Sequence, residues 1–413
     1  MKRVLLIAYH YPPVGASSGV HRTLKFSQYL RDFGWEPIVL TVHPRAYERV
    51  SDNQLKDIPP DLVVKRAFGL DTARQLALGG RYWGALALPD RWVSWWLGGI
   101  FSGNSLIRKY NPDVIWSTYP IATAHMIGRS LHRSSNIPWV ADFRDSMTEE
   151  HYPPGRVKWN MYRGIEKDAV NMAARVVFTT PGTREMYSER YPEVPADRWT
   201  VIENGFDEDN FAAAEDPVSS QTTPSEKLTL LHSGLLYPSE RDPTQFFQAL
   251  SELKNEGAID GNRLGIVLRA SGHENIFQPM LERYEIADIV ELAPPLPYSD
   301  ALKEMLNADG LLLFQASNCN HQIPAKIYEY FRAKRPIFAL TDPSGDTART
   351  IIESGIDTLV PLDSCGEIKS GLVDFIQRLK NGSAPLATEA VIYSHSRKAR
   401  TEQLAKLLNA VVE

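Results

Sequence analysis

Short runs of β-branched and aliphatic residues alternate with helix-length amphipathic segments along almost the whole chain, and no other feature constrains the fold as strongly. In the first half, strands are expected at Val4–Tyr9, Pro37–Thr41, Leu62–Lys65, Val114–Ser117, Trp139–Asp142, Val176–Thr180 and Thr200–Glu203. Helical patterns fall between them at Thr23–Phe33, Trp95–Tyr110, Ala122–Arg133, Lys158–Ala174 and Arg184–Tyr191. In the first of these, Leu24, Phe26, Tyr29, Leu30 and Phe33 share one face. Strands apolar on both faces and separated by helices require a parallel, doubly wound α/β sheet.

From Phe206 to Glu226 the periodicity lapses, and Asp, Glu, Ala, Ser, Thr and Pro accumulate in a linker-like composition. The alternation then restarts. Strands are expected at Leu228–His232, Leu264–Ala270, Ile289–Leu292, Gly310–Phe314, Pro336–Leu340 and Thr358–Val360. Helices fit Pro243–Asn255, Phe277–Tyr284, Ser299–Asn307, Ala325–Arg332, Thr347–Ser354 and Glu367–Lys380, with a last helix at about Ser396–Val412. The simplest architecture is two Rossmann-like doubly wound domains, 1–205 and 227–385, facing a cleft across a linker at 206–226. A segment at 386–413 completes the chain. Ligands of such sheets bind at the carboxyl ends of the strands, so attention falls on the loops there.

At 413 residues the chain is long enough for two or three cores. With only Cys319 and Cys365 it has neither a disulfide framework nor a cysteine zinc site, so a reducing compartment is expected. The five apolar residues after Arg3 are too few for a secretory signal. No run approaches the about 18 apolar residues of a membrane span. Residues 1–205 carry a net charge of +6 and residues 206–413 a net of −11. This asymmetry is either scatter or the mark of an anionic partner for the first half. A cytoplasmic protein is expected, with contact at an anionic membrane face as one possibility.

Four segments can carry chemistry. After the first strand, His10–Arg22 holds Gly15 and Gly19 ahead of a helix, where a backbone can approach an anion. The spacing is not Gly-x-Gly-x-x-Gly, so no nicotinamide or flavin fingerprint is present. Arg22 is either a phosphate or carboxylate clamp or a solvated charge. Trp139–Asp145 ends a strand in Asp142, Arg144 and Asp145, which are either site residues or a local salt bridge shaping the loop. In Leu230–Pro243, Gly234 closes a strand and Arg241 precedes a helix, placed to grip a diphosphate or to pair with Asp242. In Gln315–Phe331, a polar loop opens a helix at Pro324 or Ala325. There Lys326 can add charge to free amides, and Glu329 can accept from a ribose diol. Lys326 and Glu329 can also form an ordinary (i, i+3) pair, although Ile327, Tyr328, Tyr330 and Phe331 make a poor solvated face.

Other features invite less. Trp92, Trp95 and Trp96 sit at helical spacing and read as core before membrane contact. His125 and His132 lack the company a metal needs, and Cys319 has no evident base.

Taken in order, these segments resemble a retaining glycosyltransferase of the GT-B fold, family 4 type. They are Tyr11-Pro-Pro with Gly15 and Gly19, Trp139–Asp145, Val201–Gly205 with Asp207 and Phe211, His232–Gly234 with Arg241–Pro243, and Ile323–Tyr330. The terminal segment after Tyr393 is similar to the helix that crosses back onto the first domain in such enzymes. The resemblance implies a nucleoside-diphosphate sugar, UDP- or GDP-linked, as substrate, with no further cofactor and no metal. Donor contacts are implied for Gly15, Gly19, Gly234, Arg241, His321, Ile323, Pro324, Ala325, Lys326 and Glu329. Of these, Arg241, Lys326 and Glu329 would be catalytic. Acceptor contacts are implied for Arg22, Thr118, Tyr119, Asp142, Arg144 and Asp145. The acceptor would be a hydroxyl of a glycan or lipid-linked sugar in cell-surface polysaccharide synthesis, with no nucleic acid involved.

The family pattern is incomplete. Leu235 stands where the first cation of the diphosphate-gripping pair belongs, His321 replaces one of two paired glutamates, and Ser117–Pro120 replaces a histidine motif. Two alternatives therefore stand beside the transferase: a nucleotide-sugar epimerase of the same architecture, and a non-catalytic nucleotide- or carbohydrate-binding scaffold.

Overall fold

The computed structural model describes residues 1–15, 19–215 and 227–413. The chain divides into two compact units, Met1–Asn204 with Arg397–Glu413, and Gly205–Ser396. The first contains strands β1 (Lys2–Ile7), β2 (Trp35–Val42), β3 (Val63–Ala67), β4 (Val114–Thr118), β5 (Trp139–Phe143), β6 (Arg175–Phe178) and β7 (Trp199–Val201), in the order β3-β2-β1-β4-β5-β6-β7. The second contains β8 (Leu228–Ser233), β9 (Leu264–Arg269), β10 (Val290–Ala293), β11 (Gly310–Gln315), β12 (Ile337–Thr341) and β13 (Leu359–Val360), in the order β10-β9-β8-β11-β12-β13. Every pairing within both sheets is parallel. These are two Rossmann-like sheets, as the alternating pattern required.

Strand order reverses between β1 and β4 in the first sheet and between β8 and β11 in the second. At such a switch point the two following helices depart to opposite faces, which opens a crevice at the carboxyl ends of the strands. The loops after β1 and β4, and after β8 and β11, are thereby brought together in their respective units.

Local departures from the sequence reading have local causes. The expected helix at Thr23–Phe33 starts at Val20 and tightens into a 3-10 turn over Leu30–Phe33 before Gly34, at φ 85°, ends it. Part of the expected linker is ordered: Glu208–Ala214 is a helix that buries Phe211 and Ala214. Its two apolar anchors are too few to register as a period. Arg332, which bonds Glu208 and Glu215, holds its outer side. Positions 216–226 of that linker lie outside the described residues. The short helices Thr72–Gln75 and Glu389–Ser394 were also not expected. The last helix, Arg397–Val412, contributes Leu404, Ala405 and Leu408 to a first-unit core with Val4, Leu6, Leu24 and Trp116.

Trp95 is fully buried, while Trp92 and Trp96 pack partly buried against the same core. His132 bonds the Ile137 carbonyl at 2.7 Å. Among the described residues, no group of His, Cys, Asp and Glu could hold a metal, and no helix is long and apolar enough to cross a membrane.

His125 is wholly buried among Tyr119, Trp139 and Phe143, with Nδ1 2.8 Å from the Ser117 hydroxyl. Desolvation lowers its pKa to about 3. It is neutral in the folded state and takes a proton only on unfolding. First-unit stability should therefore fall as pH drops from about 6.5 toward 3, by about 1.4 kcal/mol per pH unit from this group. In His125→Phe, unfolding free energies from urea titrations between pH 7 and pH 5 should fall less steeply by that amount.

Candidate functional site

In the second unit, the β8–β11 switch point gathers the residues the sequence analysis singled out there. Strand β8 delivers His232 to the interior and is followed by Gly234, whose φ of +120° suits glycine. A Cβ at Gly234 would also stand 2.9 Å from the Lys326 ammonium. His232 Nδ1 faces the Leu312 carbonyl at 2.9 Å, so this nitrogen carries the proton. The bare Nε2 is left as acceptor for Lys326 Nζ at 3.0 Å. Burial, and then the Lys326 charge, hold His232 well below the usual imidazole range.

Lys326 opens the helix Lys326–Ala333, whose N-cap residue Ala325 supplies no side-chain acceptor. Ile327, Tyr328, Tyr330 and Phe331 bury the far side of this helix. The Tyr330 hydroxyl accepts the Ser233 amide at 3.0 Å, tying the helix to the end of β8. Arg241 donates to the Leu235 carbonyl at 3.0 Å and to Gln315 Oε1 at 3.4 Å, with its guanidinium over the Tyr237 ring. All three partners are neutral. Burial lowers the Lys326 pKa far below the ordinary ammonium value, and the Arg241 charge lowers it further, while Glu329 opposes them. Two cations thus act on each other at one strand end. Glu329 accepts the Tyr298 hydroxyl at 2.7 Å and lies partly exposed one turn beyond Lys326.

The remaining expected donor residues divide. Ile323 and Pro324 are buried, whereas Ala325 is exposed and His321 partly so. Gly15 and Gly19 belong to the first unit. The Gly15 amide donates to the Arg49 carbonyl at 2.8 Å, and Gly19 gives its carbonyl to Arg144.

In the first unit, the β1–β4 switch point opens a cavity of about 720 Å³. Tyr9, His10, Arg49, Arg91, Trp92, Tyr152, Lys158 and Tyr162 are among its lining residues. Tyr9 and Trp92 lie 4.6 Å apart, and Arg91 stacks on Trp92 while bonding Asp71 and Glu48. Asp90 also lines the cavity, but its oxygens already accept from Thr123 and from the Trp92 amide. Desolvation lowers the His10 imidazole to about 4, keeping it neutral.

The polar residues expected to meet an acceptor are not among those lining this cavity. Arg22 is not a solvated charge. It is 3% exposed and forms a two-pronged ion pair with the fully buried Asp142, at 2.7 and 3.0 Å. Its remaining protons go to the carbonyls of Ile202 and Glu203. Thr118 also donates to Asp142 at 2.7 Å. The Asp–Arg pair foreseen within 142–145 therefore forms with Arg22 rather than Arg144. Buried Tyr119 backs the cavity lining, its ring edge-on to that of Tyr162 and its hydroxyl 3.3 Å from that of Tyr152. Arg144 is partly buried and Asp145 is exposed.

Sequence reasoning missed His232, Tyr298 and Gln315 as partners in the second unit. It also missed nearly all of the first-unit cavity. The strand end at His232 was visible, but its bond to Lys326 joins positions 94 residues apart.

Residues 18–205 match the glycosyl transferase 4-like domain family. None of the curated proteins matches the chain. Solved structures with the same fold include HepE of Anabaena in complex with UDP-glucose. It is 15% identical with a TM-score of 0.66, over 99% of this chain and 100% of that one. Sucrose-phosphate synthase of Thermosynechococcus elongatus is also 15% identical, with a TM-score of 0.61, over 100% and 96%. A UDP-GlcNAc 2-epimerase of Neisseria meningitidis bound to UDP-GlcNAc is 11% identical with a TM-score of 0.54, over 99% and 100%.

Two outcomes are expected. Arg22→Met leaves Asp142 buried without its partner and should lower first-unit stability by about 3–5 kcal/mol in urea titrations. Unchanged stability with impaired ligand binding would instead make Arg22 a binding residue. An anion beside Lys326 favours its charged form, so any polyanion that binds there should do so with proton uptake, and its affinity should fall as pH rises. Calorimetry in two buffers of different ionisation enthalpy measures this uptake, which should vanish in Lys326→Met.

Proposed function

We propose that this chain, a glycosyltransferase of the GT-B, family 4 type by its N-terminal domain and its fold, moves a sugar from a nucleoside-diphosphate sugar to a hydroxyl of a glycan or lipid-linked acceptor with retention of configuration. The observation that carries this reading is the convergence of Arg241 and the desolvated Lys326 on the end of β8, both bonded to neutral groups. Such a pair favours a polyanion over any neutral ligand.

In this reading the diphosphate lies against Arg241, Lys326 and the opening amides of the helix at Lys326. Charge develops on the leaving diphosphate in the transition state, and these fixed donors meet it without rearranging. Because Lys326 is desolvated, its interaction with that charge is strong. Glu329, oriented by Tyr298, accepts from the ribose hydroxyls. The acceptor occupies the first-unit cavity, whose lining combines Tyr9, Trp92, Tyr152 and Tyr162 with Arg49, Arg91 and Lys158. This places the acceptor on a different set of side chains from Arg22, Thr118 and Asp142, which hold strand ends together. The protein's own cations neutralise the diphosphate, so turnover should persist in EDTA.

The test is product analysis with radiolabelled UDP- and GDP-sugars, with and without candidate acceptors. Acceptor-dependent appearance of label in a glycoside is expected. Arg241→Ala and Glu329→Ala should each lower kcat/KM by at least about tenfold, equivalent to about 1.4 kcal/mol or more of transition-state stabilisation. Donor conversion without acceptor would identify an epimerase. No turnover beside intact nucleotide binding would identify a scaffold.

A further inference from the structure

The hydrogen-bonding groups that line the first-unit cavity are lopsided. Both of its carboxylates are already engaged. Glu48 pairs with Arg91 at 2.7 Å, and Arg91 also meets Asp71 at 2.9 Å. Asp90 is 5% exposed and accepts from the Thr123 amide and hydroxyl at 2.9 Å and from the Trp92 amide at 3.0 Å.

Several donors in the same lining are uncommitted. Neither Arg49 nor Lys158 forms an ion pair with a carboxylate among the described residues. Lys158 lies near the start of the helix Arg156–Met172, and its ammonium is 5.4 Å from the centre of the Tyr162 ring, one turn further on. Tyr162 is only 4% exposed, yet its hydroxyl bonds to nothing among the described residues. Burial, and then the Asp90 charge, raise the Tyr162 phenol, so it keeps its proton and can donate. The Lys158 charge acts on Asp90 in turn, but the carboxylate is bonded to Thr123 and Trp92 and to neither of these two side chains. His10, neutral in this setting, adds one further N–H to the lining.

A buried polar group without a partner calls for an explanation, and here the explanation is a ligand rich in acceptors. The hydroxyls of a neutral sugar donate as well as accept, whereas a carboxylate accepts only and carries the charge that two unpaired cations favour. The cavity, of about 720 Å³, is of a size that encloses small ligands.

We propose that the first-unit cavity takes an acidic saccharide, whose carboxylate or phosphate ester rests on Lys158 and the Tyr162 hydroxyl in a positive field to which Arg49 contributes. The proposal deepens the reading of this cavity as the acceptor site and rests on that reading: the hydroxyl that receives the sugar belongs to a saccharide bearing an anionic group.

Calorimetric titration of the full chain, with no donor present, tests it with methyl glucoside, methyl glucuronoside and methyl glucoside 6-phosphate. The two anionic probes should bind at least about tenfold more tightly than the neutral one, as charge-assisted hydrogen bonds require. The carboxylate and phosphate arms show which anion is preferred. Lys158→Gln and Tyr162→Phe should each remove most of this preference while leaving the weak binding of methyl glucoside and the melting temperature unchanged. Lys158→Arg should retain it, and Arg49→Gln should reduce it more at low than at high ionic strength. Equal binding of neutral and anionic probes, or a preference that survives both Lys158→Gln and Tyr162→Phe, would overturn the proposal. So would its loss in Arg241→Ala, which would locate the anion in the second unit, or displacement of the probes by inorganic phosphate at equal concentration, which would mean an adventitious ion only. Transfer to neutral acceptors without binding of acidic sugars would also overturn it and leave the transferase reading intact. Binding of acidic sugars without transfer would uphold the ligand class and count against the transferase reading.

Discussion

Lys326 is held against an imidazole that cannot neutralise it, and the electrostatics at the end of β8 follow from that contact. The Leu312 carbonyl takes the only proton His232 carries, leaving a lone pair to face the ammonium. A carboxylate there would form a quiet ion pair and remove the local field. The neutral ring keeps Lys326 in place without a carboxylate bonded to it, Arg241 adds a second positive charge, and Glu329 only partly offsets their effect. The neighbouring structure preserves this state. Gly234 turns without a side chain that would crowd the ammonium, Tyr330 fixes the helix to the end of β8, and Gln315 holds Arg241 without cancelling it.

The first unit makes the opposite use of buried charge. Arg22 and Asp142 satisfy each other and the loose ends of three strands, and are thereby withdrawn from solvent. A strand end in a parallel sheet needs such closure, because its terminal carbonyls would otherwise be buried without donors. The cavity nearby is furnished mainly by aromatic rings and longer cations drawn from well-separated stretches of chain. Polar residues at a strand terminus can therefore serve architecture, and the wall of a cavity can come from residues with no shared local pattern.

This contrast marks what the amino-acid sequence discloses. Periodicity locates every strand of both sheets to within a few residues, because apolar runs buried on both faces leave little freedom. The helix Trp95–Tyr110 is legible to its last residue, since its apolar stripe ends where Asn111 adopts a left-handed conformation at φ 45°. The helix Glu208–Ala214 is not legible, having only Phe211 and Ala214 to declare an inner face. In the second unit Arg241, Lys326 and Glu329 could be picked out because each sits beside a strand end or helix start. His232 as the partner of Lys326 could not, because that bond depends on which strands become neighbours. Tyr9, Trp92, Tyr152 and Tyr162 are likewise assembled by topology alone.

The helix Arg397–Val412 belongs to the first unit, so that unit is discontinuous in sequence, and residues 205–396 form an insert within it. Leu404, Ala405 and Leu408 fill a core with strands β1 and β4, and Arg400 bonds Glu203 beyond β7. During vectorial synthesis the second unit therefore has all of its own residues while the first still lacks a wall of its core. The usual order, in which the amino-terminal domain matures first, is reversed here, and the seven-stranded sheet must wait with that core open for the final helix to emerge.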